Sequence, residues 1–327
     1  MTILKGLIKT CCYSLLILLV LIQAAKAACA ASASTNPNSI NIGTYPSQSV
    51  PVGGLSSNNN GASANFSVTC SISLTLQLLS TTSWLRYTAQ QPLTLSNGTD
   101  TISYTIASNS TYTPAITSSG QSIGGPVGFQ LLTLAILASG RIDIPLYIKT
   151  LPTSLWPNAG TYTGTQTLLV DGVMCTGIGL PGVCLGTNTV NSTVSFSVNL
   201  TVSKSCEFIS TPTLANFGIV SFIENAGTIF LNASLRCTHL EDYLLYADNG
   251  DNYSANSRWL KSSLNYTIAY NVMQPDSPTT PLNSLNPLSR LGTGVSESVG
   301  IPLKITSGQT TPPAGIYTDN LRLVIEY

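Results

Sequence analysis

The sequence predicts an all-β protein: two antiparallel Ig-like β-sandwiches in tandem, the second lacking its final strand. Three observations carry that prediction. Apolar residues make up 43% of the 327 positions and charged residues only 8%, against about 25% charged in an ordinary globular chain. Runs that alternate apolar and polar residues stand between Gly, Pro, Asn and Ser breaks without helical periodicity, the pattern of short antiparallel strands. A set of sequence markers also occurs twice, in the same order.

Composition excludes whole classes of function. Nucleic-acid binding needs clustered Lys and Arg, and only 13 basic residues are spread along the chain, so no nucleic-acid partner is expected. One histidine, His239, leaves little material for His-based catalysis or a multi-histidine metal site. No nucleophile–base pair, phosphate loop or metal cluster is visible. The chain is read as a non-enzyme with no cofactor and no metal.

Residues 1–27 read as a signal peptide. Lys5 and Lys9 precede the apolar run Tyr13–Ile22, and Ala25-Lys-Ala27 supplies the small residues of a cleavage site. Lys26 stands where an aliphatic residue would be needed for acylation of Cys29. Cleavage leaves ten basic and thirteen acidic residues, a net charge of −3, and six cysteines. An even number of cysteines in an exported chain points to disulfides.

The duplication organises the rest. Ile102-Ser-Tyr-Thr-Ile-Ala returns as Leu264-Asn-Tyr-Thr-Ile-Ala. Ile144-Pro-Leu-Tyr-Ile returns as Ile301-Pro-Leu-Lys-Ile, and Ala159-Gly-Thr-Tyr-Thr as Ala314-Gly-Ile-Tyr-Thr. Asn41-Ile-Gly43 answers Asn216-Phe-Gly218, and Cys29 and Cys70 answer Cys206 and Cys237. The order predicts one bridge per module, Cys29–Cys70 and Cys206–Cys237, leaving Cys175 to pair with Cys184. Module one spans 28–202 and module two 206–327, joined by Ser203-Lys-Ser205, a junction too short for independent modules. The clearest strand is Ser192–Val202, with Val194, Phe196, Val198, Leu200 and Val202 on one face. Asn320–Tyr327 is another.

Module one continues past its Gly-x-Tyr-Thr strand into Ser192–Val202, whereas no such strand follows in module two. A sandwich short of a strand exposes an apolar groove and unpaired backbone groups, and a strand donated in trans is the remedy. The cleaved chain would start almost at Cys29, so it would accept a strand without offering one, the position of a terminal fibre subunit. An ordinary sandwich that ends early is the plainer alternative.

The early Cys, Asn216-Phe-Gly218, Cys237, Leu264-Asn-Tyr-Thr-Ile and the closing Gly315-Ile-Tyr-Thr-Asp319 together resemble the spore coat protein U domain family. The match is good over 206–327 and traceable over 29–202. The resemblance implies the pilins of archaic, Csu-type chaperone–usher pili in Gram-negative bacteria. For a two-domain member it implies a tip adhesin, with an N-terminal adhesin domain and a C-terminal pilin domain. The implied partners are a periplasmic pilus chaperone, an outer-membrane usher and an adjacent pilin donating a strand to 206–327. The implied location is the pilus tip, reached through the periplasm, with roles in attachment and biofilm formation. The related Csu tip adhesin is described as gripping hydrophobic surfaces with finger-like loops.

Adhesion is expected where module one is longer. Its extra stretch Val173–Leu185 places Cys175 and Cys184 at the base of a hairpin, with Ile178, Leu180, Pro181 and Val183 at an uncharged tip. Exposed apolar patches mark interaction sites, and a preformed finger loses little entropy on binding. Two further insertions, with Val50, Val52 and Leu55 (46–55) and Ile116, Ile123, Pro126 and Val127 (114–129), read either as further binding tips or as loops covered by the fold. Leu131–Leu137 reads as a buried strand. Trp84 and Trp156 are read as core residues ahead of sugar stackers, His239 as a surface residue, and Asp248 and Asp251 as a turn ahead of a calcium loop. The alternatives to a hydrophobic-surface adhesin are a lectin-like adhesin for host glycans and a structural cap without external ligand. Only seven charged residues lie between 28 and 204, against sixteen in module two. A neutral adhesive half loses little charge hydration at an apolar surface.

Overall fold

A computed structural model describes residues 29–33, 39–57, 63–70, 84–124, 141–180 and 183–327. For 29–33, 70, 121–124, 141–143, 175–180 and 183–186 the backbone alone is described. The leader and Leu131–Leu137 lie outside these residues. Alternating β-rich sequence gives strands throughout, and the two short 3-10 turns, Ser47–Val52 and Ile223–Asn225, are the described helical segments.

Module one opens with β1 (Cys29–Ala33), β2 (Ser39–Pro46), β3 (Ala64–Cys70), β4 (Trp84–Ala89) and β5 (Thr94–Ser96). It continues with β6 (Thr101–Ala107), β7 (Ala115–Ile116), β8 (Gln121–Gly124), β9 (Arg141–Thr150), β10 (Gly160–Leu180) and β11 (Val183–Ser203). The strands curl into an almost closed sandwich: β10 pairs with β4 and β5 on one side and β11 on the other, and β11 meets β1 and β2. From β1 the pairing passes through β3, β9 and β6 back to β5. The period-two pattern of β11 decides which face goes inward. Val194, Phe196, Val198, Leu200 and Val202 are all buried in the core with Leu168, Val170 and Tyr162.

Two features depart from the expected antiparallel sandwich. The strand read as Ser192–Val202 runs twice as far, from Val183, because its partner Gly160–Leu180 alternates and pairs with it over nearly the whole length. β11 also lies parallel to β1 and β2, pairing Ser197–Ser203 with Ser39–Pro46. Returning from the hairpin tip, it travels in the same direction as β2 and closes the gap between β2 and β10.

Module two contains β12 (Cys206–Ser210), β13 (Ile229–Cys237), β14 (Asp242–Ala247), β15 (Tyr253–Ser254) and β16 (Ser257–Lys261). Then follow β17 (Thr267–Gln274), β18 (Ser277–Pro281), β19 (Leu288–Leu291), β20 (Glu297–Ile305) and β21 (Leu323–Glu326). One sheet runs β12-β13-β20-β17-β16-β15 with β18 beside β17, and the other is β19-β14-β21. Its buried residues, from Ile223 to Ile305, form a core separate from that of module one. Cys206 and Cys237 face each other in the β12–β13 ladder and are disulfide-bonded. Cys29 and Cys70 occupy the corresponding register in β1–β3; their side chains lie outside the described set.

The Gly315-Ile-Tyr-Thr segment was expected to be a strand like its counterpart in module one. It forms only an isolated bridge, Lys261 to Thr318. The reason is the missing neighbour: in module one Gly160–Thr163 is held by Asn199–Val202 of β11, and among the described residues of module two nothing takes that place.

Candidate functional site: a distal apolar end and an open sheet edge

The β10–β11 hairpin defines the long axis of module one. Leu180 pairs with Val183 at one end and Gly160 with Val202 at the other. At about 3.3 Å per residue, twenty residues separate these ends by roughly 65 Å. Its last lateral partners are Trp84 of β4, beside Val173, and Cys29 of β1, beside Val190. Beyond them the two strands continue as a ribbon to the tip. In that ribbon Cys175 lies opposite Thr187 and Cys184 opposite Gly179, with a register shift between Cys175 and Ile178. The side chains of Cys175, Ile178, Leu180, Val183 and Cys184 lie outside the described set, as does Pro181 altogether.

Other strand ends converge on the same end of the module. Cys70 closes β3 opposite Cys29, Arg141 opens β9 opposite Thr69, and Trp84 pairs with Gly124 of β8. The connections 71–83 and 125–140 therefore leave from and return to this distal end. Both are uncharged and apolar, with Ile72, Leu74, Leu76 and Leu78 in the first and Val127 and Phe129 in the second. Segments 71–83 and 125–140 lie outside the described residues, and so do Pro126 and Val127. The backbone of Ile123 pairs with Leu85. Sequence reasoning named no residue in 71–83. Thirteen residues separate β3 from β4 there, against four between β13 and β14, and that excess was the available signal.

The loop 46–55 belongs to the other end, so of its two readings the covered loop is the one the structure favours and the adhesive tip is corrected. Ser47 Oγ shares hydrogen bonds with Ser205 Oγ at 2.7 Å and Thr238 Oγ1 at 2.6 Å, at the joint with module two. Val50 is fully buried, Leu55 packs against the core, and Val52 is exposed but sits beside the joint. Ile116 is corrected too: it pairs with Ile106 and is fully buried. Val50, Leu55 and Ile116, which look like tip residues in sequence, belong instead to the core of module one, and Val52 alone of the four is exposed.

The joint itself is dense. Trp156 is buried there, its N–H donating to the Gly294 carbonyl at 2.8 Å, with the Arg236 guanidinium over its ring at 5.0 Å. Gly294 has φ +74°, and a Cβ there would meet the Trp156 carbonyl at 2.8 Å, so glycine is required. His239 is no simple surface residue. Its Nδ1 lies 2.8 Å from Asp100 Oδ2, the same carboxylate oxygen that accepts the Asn158 N–H at 2.7 Å. Asp248 behaves as the expected turn residue, Oδ1 accepting from the N–H groups of Gly250 and Arg322. Among the described residues no group of His, Cys, Asp and Glu could hold a metal.

Module two carries the open edge. β21 and β12 terminate their sheets, each hydrogen-bonded to one strand only among the described residues. Leu323 and Ile325 of β21 pair with Ala247 and Leu245 as Leu168 and Val170 of β10 pair with Ala89 and Tyr87. Leu168 and Val170 are fully buried under β11, whereas Leu323 and Ile325 are only partly covered. Nearby Ile209, Leu214, Ile219 and Phe222 are exposed.

The duplicated architecture has a counterpart in a family model. The Spore Coat Protein U domain model matches residues 17–168 and 192–323, most of the chain. The chain belongs to the spore coat protein U domain family. Among solved structures, similarity extends to the CsuC–CsuE chaperone–tip adhesion subunit pre-assembly complex of Acinetobacter baumannii archaic Csu pili. Identity is 20% and the TM-score 0.49, covering 92% of this chain and 100% of that chain. The CupB6 tip adhesin of Pseudomonas aeruginosa matches at 14% identity and TM-score 0.33, over 80% of this chain and 85% of that one. Comparison with curated proteins gives no significant match.

Proposed function

We propose that the chain is a pilus-tip adhesin of the archaic chaperone–usher type. It attaches to hydrophobic or abiotic surfaces, and supports biofilm formation, through the distal end of module one. The observation that carries this reading is that the strand ends flanking three uncharged apolar stretches of sequence, 71–83, 125–140 and 181–182, lie together at the end farthest from module two. Each aliphatic side chain moved from water onto an apolar surface contributes about 1.5–3 kcal/mol, so a few tips acting together give firm attachment.

Module two anchors the adhesin. A strand donated by the adjacent pilin enters between β21 and β12, taking the place that β11 takes in module one, and must alternate apolar residues as Val194–Val202 do. Before assembly a periplasmic chaperone covers the same edge, and an outer-membrane usher passes the subunit to the cell surface. Family membership and the half-covered Leu323 and Ile325 support this part of the reading.

The test replaces Ile178, Leu180 and Val183 together by Ser in cells assembling the pilus. Attachment to polystyrene is expected to fall at least tenfold while pilus number on the surface is unchanged. Undiminished attachment at normal piliation overturns the reading.

A further inference from the structure

Along the flank of module one, five neighbouring strands present a continuous uncharged face. One row across it reads Thr101, Ser96, Thr163, Asn199 and Asn41, from β6, β5, β10, β11 and β2 in register. The next row toward the joint is Thr161, Thr201 and Thr44. Inward neighbours of these residues, such as Tyr162, Leu200 and Ile42, are buried, so the hydroxyl and amide groups stand on the outer surface. Toward the distal end the face continues through Thr193 and Asn191 of β11. Among the described residues it is crossed by one ion pair, Arg86 to Asp171 at 2.8 Å, which neutralises itself.

The face ends on an aromatic ring. Trp84 lies in the row of Val173 and Thr189, on the outer side of β4, and is 36% exposed where the neighbouring Leu85 and Tyr87 are fully buried. From Thr161 to Val173 the strip is about 40 Å long, and its strands are spaced about 4.8 Å apart.

We propose that this strip is a binding track for a neutral polysaccharide chain. Its chemistry decides among occupants. A polyanion finds no cation beyond Arg86, which is already paired. A protein partner finds Trp84 and Arg86 at one end only, and along the rest of the strip none of the clustered aromatic and Arg anchors that concentrate binding energy in protein interfaces. A neutral polyol offers hydroxyl groups to the repeated donors and acceptors, and its C–H faces to the Trp84 indole. A single such hydrogen bond in water nets only about 1 kcal/mol or less, so affinity arises from many contacts along one polymer. Threonine suits this role because its branched Cβ holds χ1 in place before binding. Cross-strand bonds such as Thr167 Oγ1 to Ser195 Oγ at 2.9 Å further fix the array. The Thr and Asn rows below Trp84 are separate from the distal tips, so their contacts can fail without those of the tips.

Affinity gel electrophoresis of the full chain tests this, with hydroxyethyl cellulose and dextran as the immobilised probes. Retardation by at least one of them is expected. Trp84→Ala, and separately the pair Thr163→Glu and Thr193→Glu, should weaken it tenfold or more at an unchanged melting temperature. Trp84→Phe should retain it, and adsorption to polystyrene should be the same for the Thr163→Glu, Thr193→Glu pair as for the unmodified chain. No retardation of the unmodified chain, or equal retardation of the variants, overturns the proposal. So does concentration-dependent dimerisation abolished by the two Glu residues, which would make the strip a contact between copies.

Discussion

Buried tyrosines set the alkaline limit of this protein. The Tyr104 and Tyr87 hydroxyls are enclosed without a hydrogen-bond partner among the described residues, and burial pushes Tyr104 up to about 12 and Tyr87 further. A raised phenol pKa means that the folded chain keeps a proton the unfolded chain gives up near pH 10. Stability from these groups is therefore complete below pH 10 and declines as pH rises from 10 toward 12. Denaturant melts at pH 8, 10 and 11 should show a flat region followed by a fall, and replacing Tyr104 by Phe should make the fall shallower. At the joint, Asp100→Ala removes the acceptor of both the His239 ring and the Asn158 N–H. The expected loss is about 1–3 kcal/mol, with a broadened inter-module distance distribution by spin labelling. The sequence could not announce this contact, because the two partners stand 139 positions apart. Val50 stayed open between exposed tip and covered loop for a related reason. An apolar residue flanked by Pro and Ser looks the same whether a loop projects or folds inward.

The β10–β11 hairpin shows what alternation does and does not reveal. The period-two pattern of Val194–Val202 disclosed a strand and its buried face, and both are as expected. Its length was not legible, because Gly, Thr and Cys interrupt the apolar pattern beyond Val190, while pairing with a partner strand holds the extended backbone there. Gly172 illustrates the packing that results. A Cβ at this position would collide with the Trp84 carbonyl, and Leu85 lies immediately behind. Gly172→Val should therefore destabilise module one by about 1–3 kcal/mol or more, measured as a lower denaturation midpoint with an unchanged m-value. The same change at exposed Thr165 should be nearly neutral.

At the scale of the molecule, the duplication was the most legible feature, since five markers in the same order fixed which strands of one module answer those of the other. Equivalent positions then differ in a way that only the structure displays: Leu168 is sealed and Leu323 is half open. Appending a flexible linker and a strand patterned on Ser192–Val202 after Tyr327 is expected to raise the melting temperature of module two by on the order of 10 °C. Amide exchange of Leu323–Glu326 should slow at the same time. A chain whose module two melts identically with and without the added strand would show that the open edge needs no partner. Of the distal segments, the hairpin tip and 125–129 were legible as apolar insertions, Leu131–Leu137 was read as a buried strand, and 71–83 was not singled out. The meeting of their flanking strand ends joins positions far apart in sequence, which no local pattern records.

The course of β11 has a mechanical consequence. A pull between the distal end and module two acts along this strand, from Val183 to Ser203, while its hydrogen bonds to β10 lie across it. Such a load shears the whole ladder at once instead of opening it one bond at a time. Three residues beyond Ser203, the tension enters Cys206 and crosses a covalent bridge to Cys237 of β13. Between Val183 and Cys237 that load falls on a sheared ladder and then on a sulfur–sulfur bond.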